Sequence, residues 1–197
     1  MHRRSSFFRA ARAALAALVA LALLGCGASA PEPAAAPDPP PSATADTSTQ
    51  RAAAPRGWSA TDPPIDLTHV FQGEVNRRSK VVGWHARPGG AAPEGARIVR
   101  ISAGPNRLGV YTADIELYDA EDGRWEPKFS TFFPDDHSVD DVVDAILTAY
   151  RDARASNRID DDGGFEGDSG RGYAVRGYLD RRGDRIRTAF PRYRRDR

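Results

Sequence analysis

The chain has 197 residues, 28 Lys plus Arg against 27 Asp plus Glu, a formal net charge of +1, 40% hydrophobic residues and one cysteine. That length suffices for one core of ordinary size, and the near-neutral balance excludes the globally basic composition common among nucleic-acid binders. A single cysteine excludes an intrachain disulfide and any zinc site built on several thiolates.

The first element is basic and then apolar. Arg3, Arg4, Arg9 and Arg12 precede an apolar run from Ala13 to Leu24. The run is too short to favour a membrane-spanning helix, and its order is that of a secretory signal. Leu23-Leu24-Gly25-Cys26 resembles a bacterial lipobox. Residues 1–25 are therefore expected to form a lipoprotein signal peptide, with cleavage before Cys26 and diacylation of its thiol. Loss of the four signal arginines would take the net charge from +1 to −3. Gly27 in place of Asp favours, by resemblance to Gram-negative lipoproteins, an outer-membrane position in the cell envelope. Residues 26–60, rich in Ala, Pro, Ser and Thr, carry too little apolar surface to offset ordering entropy, so a lipidated Cys followed by a disordered, somewhat extended tether is expected.

Residues 61–197 make one domain. Arg97–Ser102 and Leu108–Tyr118 have strand character; in the second, Tyr111, Ala113, Ile115 and Leu117 alternate with Thr112, Asp114 and Glu116. Gly104-Pro-Asn106 supplies a turn between them, predicting an antiparallel hairpin. Trp125–Phe133 reads as a further strand, with Pro127 marking an edge or irregularity. Ser138 followed by Asp141 starts a helix to about Ser156, in which Val139, Val142, Val143, Ile146, Leu147 and Tyr150 recur at helical spacing. Ile159–Arg171 reads as an acidic loop that lacks the closing Glu of an EF-hand. Tyr173–Asp180 and Arg185–Phe190 predict a second hairpin around Arg182-Gly183-Asp184, ended by Pro191. This order predicts an α+β fold, mostly antiparallel sheet with one clear amphipathic helix. Arginines gather at the end, from Arg181 to Arg197, as a solvated terminus or a phosphate-attracting one.

No Gly-rich phosphate loop and no Ser or Cys nucleophile motif occurs. Attention falls on the four histidines, of which His69 and His85 lie close together. They could hold zinc with Glu74 or His137, although HExxH spacing is missing and the one Cys is assigned to lipid. Unmetallated, the two imidazoles suit a reaction in which one takes a proton while the other gives one. Cleavage of an RNA phosphodiester through its 2′-hydroxyl needs that arrangement, with a cation near the phosphoryl oxygens. Only Lys80 and Lys128 are lysines, and Lys128 stands between aromatics in a strand-like segment. A snorkelling surface role is its simplest alternative.

His69-Val-Phe-Gln-Gly73-Glu74, Gly83-Trp84-His85, Trp125-Glu-Pro-Lys128, Phe132-Phe133-Pro134 and Thr188-Ala-Phe-Pro191 together resemble the bacterial EndoU endoribonucleases, from about Leu67 to Pro191. The resemblance implies RNA cleavage, often at uridines, leaving a 2′,3′-cyclic phosphate, with catalytic His69, His85 and Lys128 and substrate-binding Thr188 and Phe190. It implies a reaction without cofactor, although some eukaryotic relatives respond to manganese. It also implies a toxin-type role and an immunity protein as partner, beside RNA and, through the N-terminal lipid, the membrane. Phe190 departs from the Tyr usual in relatives; it can stack on a base but not donate a hydrogen bond, and Tyr193 lies nearby as a substitute. Gly73 and Glu74 are expected to shape the loop, and Ser130 and Arg87 are further candidates for phosphate contact. The rival reading is a catalytically silent lipoprotein that uses the same fold as a binding module; a weaker one is a periplasmic metal-binding protein.

Overall fold

A computed structural model describes residues 53–197. The signal peptide, Cys26 and most of the expected tether lie outside the described residues. In chain order the elements are α1 (Leu67–Phe71), β1 (Glu74–Val75), β2 (Val81–Val82), β3 (Ala96–Ala103), β4 (Tyr111–Asp119), β5 (Arg124–Phe132), α2 (Val139–Ala155), β6 (Gly164–Asp168), β7 (Ala174–Leu179) and β8 (Ile186–Pro191). They form three antiparallel sheets, β1-β2, β3-β4-β5 and β6-β7-β8. The expected α+β class is the observed one.

Two cores follow from the alternation and helical spacing in the sequence. Along β4, Tyr111, Ala113, Ile115 and Leu117 are buried and pack with Phe132 of β5, Val81 and Trp84. Helix α2 lays Val142, Ala145, Ile146, Ala149, Tyr150 and Ala153 on Phe165, Val175 and Ala189 of the third sheet, closed by Ile65, Val70, Phe71 and Ile186. Its start is a full capping box: Ser138 accepts from the Asp141 backbone N–H, and Asp141 accepts from that of Ser138. Such a cap contributes about 1 kcal/mol. Pro127 falls in β5, an edge strand opposite Glu116 of the central strand.

Two expectations need correction. Ile159–Arg171, read as a loop, contains β6, which pairs with β7 to turn the expected hairpin into a three-stranded meander. Glycines that lower strand propensity are what allow this strand to exist: a Cβ on Gly167 would stand 1.9 Å from the Ala149 carbonyl oxygen. The strand presses its backbone directly onto α2. Residues 54–60, assigned to the tether, are bonded into the domain. Gln72 Nε2 donates to the Ala54 and Pro55 carbonyls, Ser59 and Leu67 close ladders with Ile65 and Gly57, and Arg185 lies 5.1 Å from the Trp58 ring centroid.

Candidate active site

His69 is the third residue of α1, a helix only five residues long, capped by Asp66 whose Oδ1 accepts from the His69 backbone N–H at 3.0 Å. The carbonyls at the end of that helix hold the segment bearing the other histidine. Trp84 N–H donates to His69 O at 2.7 Å, and His85 N–H donates to Val70 O at 2.7 Å. Gly83 makes this approach sterically feasible: its φ is +76°, and a Cβ there would lie 2.2 Å from His69 O. Trp84, itself at φ 55°, drives its ring into the core with 0% exposure and against Phe132 at 5.3 Å. This anchor fixes where the next residue points. The His69 and His85 rings thereby stand 6.4 Å apart, both buried.

Strand β5 brings the cation. Lys128 and Ser130 are two apart, so they share the core-facing side of the strand, opposite Ile115 and Ala113. Lys128 Nζ donates to Gly83 O at 2.8 Å and to Ser130 Oγ at 3.0 Å. Ser130 Oγ donates to Trp84 O at 2.8 Å and lies 3.1 Å from His85 Nδ1. On β8, Thr188 and Phe190 also share a face, and the Phe190 ring is 5.2 Å from that of His85. The structure therefore brings His69, His85, Lys128 and Phe190 together, with Thr188 one step along the same strand face.

The family model for bacterial EndoU nuclease matches residues 65–193. The chain belongs to the bacterial EndoU family. A Bacillus cereus protein described as a toxin is 33% identical over 129 residues, covering 65% of this chain and 22% of that protein, so the chain spans about a fifth of its relative's length. No solved structure matches the chain.

Several neighbours of the EndoU histidines carry no spacing signal that ties them to this site. Glu74, expected to shape its loop or to serve as a further zinc ligand, places Oε1 3.5 Å from His69 Nδ1. Arg187 donates to the same oxygen at 2.7 Å and reaches Asp66 Oδ2 at 3.5 Å. The motif HVFQGE hints at the first contact, but nothing local pairs residue 187 with 74. Ser130, read as a phosphate contact, instead bridges Lys128 and His85. Arg87 is committed to Asp135, Tyr111 and the Gly90 carbonyl. Tyr193 packs against the α2 core, and His137 meets Tyr173 and Asp136. Among the described residues no three His, Cys, Asp or Glu side chains form a cluster that could hold a metal ion.

Burial and neighbours set unlike proton affinities. Burial first, then Lys128 and His69, hold the His85 imidazolium well below its ordinary value of 6.5. His85 is thus neutral, and Nδ1–H donating to Thr131 O at 3.1 Å leaves Nε2 as a bare acceptor. Burial also lowers His69, but Asp66 and Glu74 pull it back up and Arg187 pushes it down. Burial lowers Lys128 to about 8, so it stays mostly charged at neutral pH. Folding stability carries the same signature. With the native His85 value below the unfolded one, the unfolded chain binds the extra proton as pH drops below 6.5. The melting temperature is expected to fall on acidification through that window, and His85→Gln to flatten the fall; an unchanged slope would remove His85 as the cause.

Proposed function

We propose that the chain is a toxin-type endoribonuclease that cleaves RNA by attack of a 2′-hydroxyl on the adjacent phosphorus, leaving a 2′,3′-cyclic phosphate. One observation carries this reading: two imidazoles 6.4 Å apart, both lowered by burial, differ in their neighbours, with carboxylates raising His69 and the half-buried Lys128 ammonium lowering His85 further. His85 Nε2 takes the 2′-hydroxyl proton as that oxygen bonds to phosphorus. His69, kept more basic by Asp66 and Glu74, gives its proton to the departing 5′-oxygen as the phosphorus–oxygen bond breaks. Two of the three Lys128 protons are spent on Gly83 O and Ser130 Oγ, leaving one to stabilise charge on the phosphoryl oxygens. Phe190 stacks on the base, and the Thr188 hydroxyl bonds to its edge.

The reading extends to the cell. The B. cereus relative's description supports a toxin role here, with a neutralising immunity protein as partner. The N-terminal pattern ending at Cys26 supports a secreted, lipid-anchored protein of the outer membrane, which acyl labelling of the chain and of Cys26→Ala tests directly. The rival reading, a silent binding module, rests on Phe190 lacking a hydroxyl and on the negative charge expected once the signal arginines are lost.

The test is incubation of the purified chain with uridine-containing RNA, with and without EDTA. Cleavage to cyclic-phosphate ends that persists in EDTA is expected. Binding without cleavage establishes the silent module, and dependence on metal overturns the proton-transfer pair.

The pH profile of kcat/KM tests the acid assignment. Its falling limb belongs to His69, because the acid must be protonated. Glu74→Gln removes an anion that raises His69, and is expected to move that limb to lower pH. Movement of the rising limb instead would reverse the two roles.

A further inference from the structure

Arg187, the residue before Thr188 on β8, belongs to no step of the proposed chemistry, yet its side chain ends beside the acid. Its backbone is fixed through its neighbour: Asp66 N–H donates to Ile186 O at 3.0 Å, and Ile186 N–H donates to Pro64 O at 2.8 Å. The ladder between β7 and β8 is irregular here. Tyr178 and Leu179 face Thr188 and Ile186, so Arg187 is left without a partner on β7 and extends over α1 and β1 instead. Its Nη2 donates to Glu74 Oε1 at 2.7 Å, and its Nη1 lies 3.5 Å from Asp66 Oδ2. The same Glu74 oxygen is 3.5 Å from His69 Nδ1, a buried nitrogen with no hydrogen-bond partner among the described residues. The carboxylate thus sits at bonding distance from the guanidinium and just beyond it from the imidazole.

We propose that Arg187 is a positioning residue for the general acid: it clasps Glu74 away from His69 Nδ1 and so leaves the imidazolium ready to release its proton. The assignment rests on the reading of His69 as the acid. A carboxylate bonded directly to Nδ1–H would stabilise the cation, and a donor that holds its proton too tightly delivers it poorly to a leaving oxygen. The planar fork of an arginine suits the task, because its two ends meet two carboxylates that stand on separate elements. Every element around His69 contributes a charge or a titratable group. Burial lowers its proton affinity, Asp66 before α1 and Glu74 of β1 raise it, and Arg187 of β8 lowers it again. The neutral His85 ring stands 6.4 Å away, and the Lys128 ammonium of β5 bonds to Gly83 O beside it.

The pH profile of kcat/KM on a uridine-containing RNA, together with an NMR titration of the His69 ring, tests the clasp. Arg187→Gln frees Glu74 and is expected to move the falling limb to higher pH, opposite to the shift from Glu74→Gln. Arg187→Lys keeps a cation but loses the fork, and should move the limb upward by less. In a Glu74→Gln background, Arg187→Gln should produce less than half of its shift in the wild-type chain, because both residues act through one contact. Equal shifts in the two backgrounds would make Arg187 a remote charge and overturn the clasp, as would a limb that stays or moves down. If Arg187→Gln melts before it can be assayed, Arg187→Lys decides by the same sign: an upward limb supports the clasp and an unmoved one overturns it. A His69 ring that titrates higher in Arg187→Gln, in a chain that cleaves no RNA, keeps the clasp and sinks the nuclease reading.

Discussion

Alanine at His85 is expected to lower kcat/KM on a uridine-containing RNA by about 10²–10⁴-fold, the usual contribution of a positioned acid–base group. The size follows from the seat of this imidazole. Its backbone is held by Val70, its Nδ1 by Thr131 and Ser130, and its ring borders both His69 and Phe190. His69→Ala should cost a similar factor, and the double variant far less than the product, because each group is useful only with the other. His137→Ala, whose imidazole meets Tyr173 and Asp136, is the matched control and should stay close to wild type. Circular dichroism and thermal melting separate a chemical loss from an unfolded one. A folded His85→Ala variant with wild-type turnover would end the acid–base assignment.

How far the sequence reaches depends on whether a feature is local. Helix α2 is legible to its caps, because Ser138, Asp141 and the apolar spacing act within one segment. The core face of β4 is legible because strand period alone separates Ile115 from Glu116. His69, His85 and Lys128 are legible as residue types in order, while their convergence depends on carbonyls of α1 meeting the Gly83–His85 backbone. Strand β6 is hidden because its Gly167 answers to the Ala149 carbonyl, a partner in a distant element. The Glu74–Arg187 pair is hidden for the same reason, since the fold alone joins β1 to β8. What propensity scores as a break can be a backbone contact in disguise.

Gly83 is the sharpest case of such a contact, and Gly83→Ala is expected to damage stability and activity together. Two costs add. A left-handed φ of +76° costs an alanine about 1–2 kcal/mol, and its Cβ would meet His69 O at 2.2 Å and Gly73 Cα at 3.0 Å. Both contacts are backbone, so relief requires α1 to move, an overpacking cost of about 1–3 kcal/mol. The sum, roughly 2–5 kcal/mol, corresponds to a melting temperature lower by roughly 5–20 °C for a domain of this size. Gly183→Ala isolates the first cost, because Gly183 has φ +77° and nothing lies within 4 Å of where its Cβ would stand. Activity should fall further than the loss of folded protein explains. Moving α1 from this segment lengthens the Trp84–His69 backbone bond, and displacing Gly83 O removes an acceptor that aims Lys128. Near-attack geometry tolerates little displacement, so kcat for the folded fraction should drop at least about tenfold. If Gly83→Ala melts with Gly183→Ala and turns over like wild type, the backbone clasp between α1 and the Gly83–His85 segment is not what sets the histidine pair.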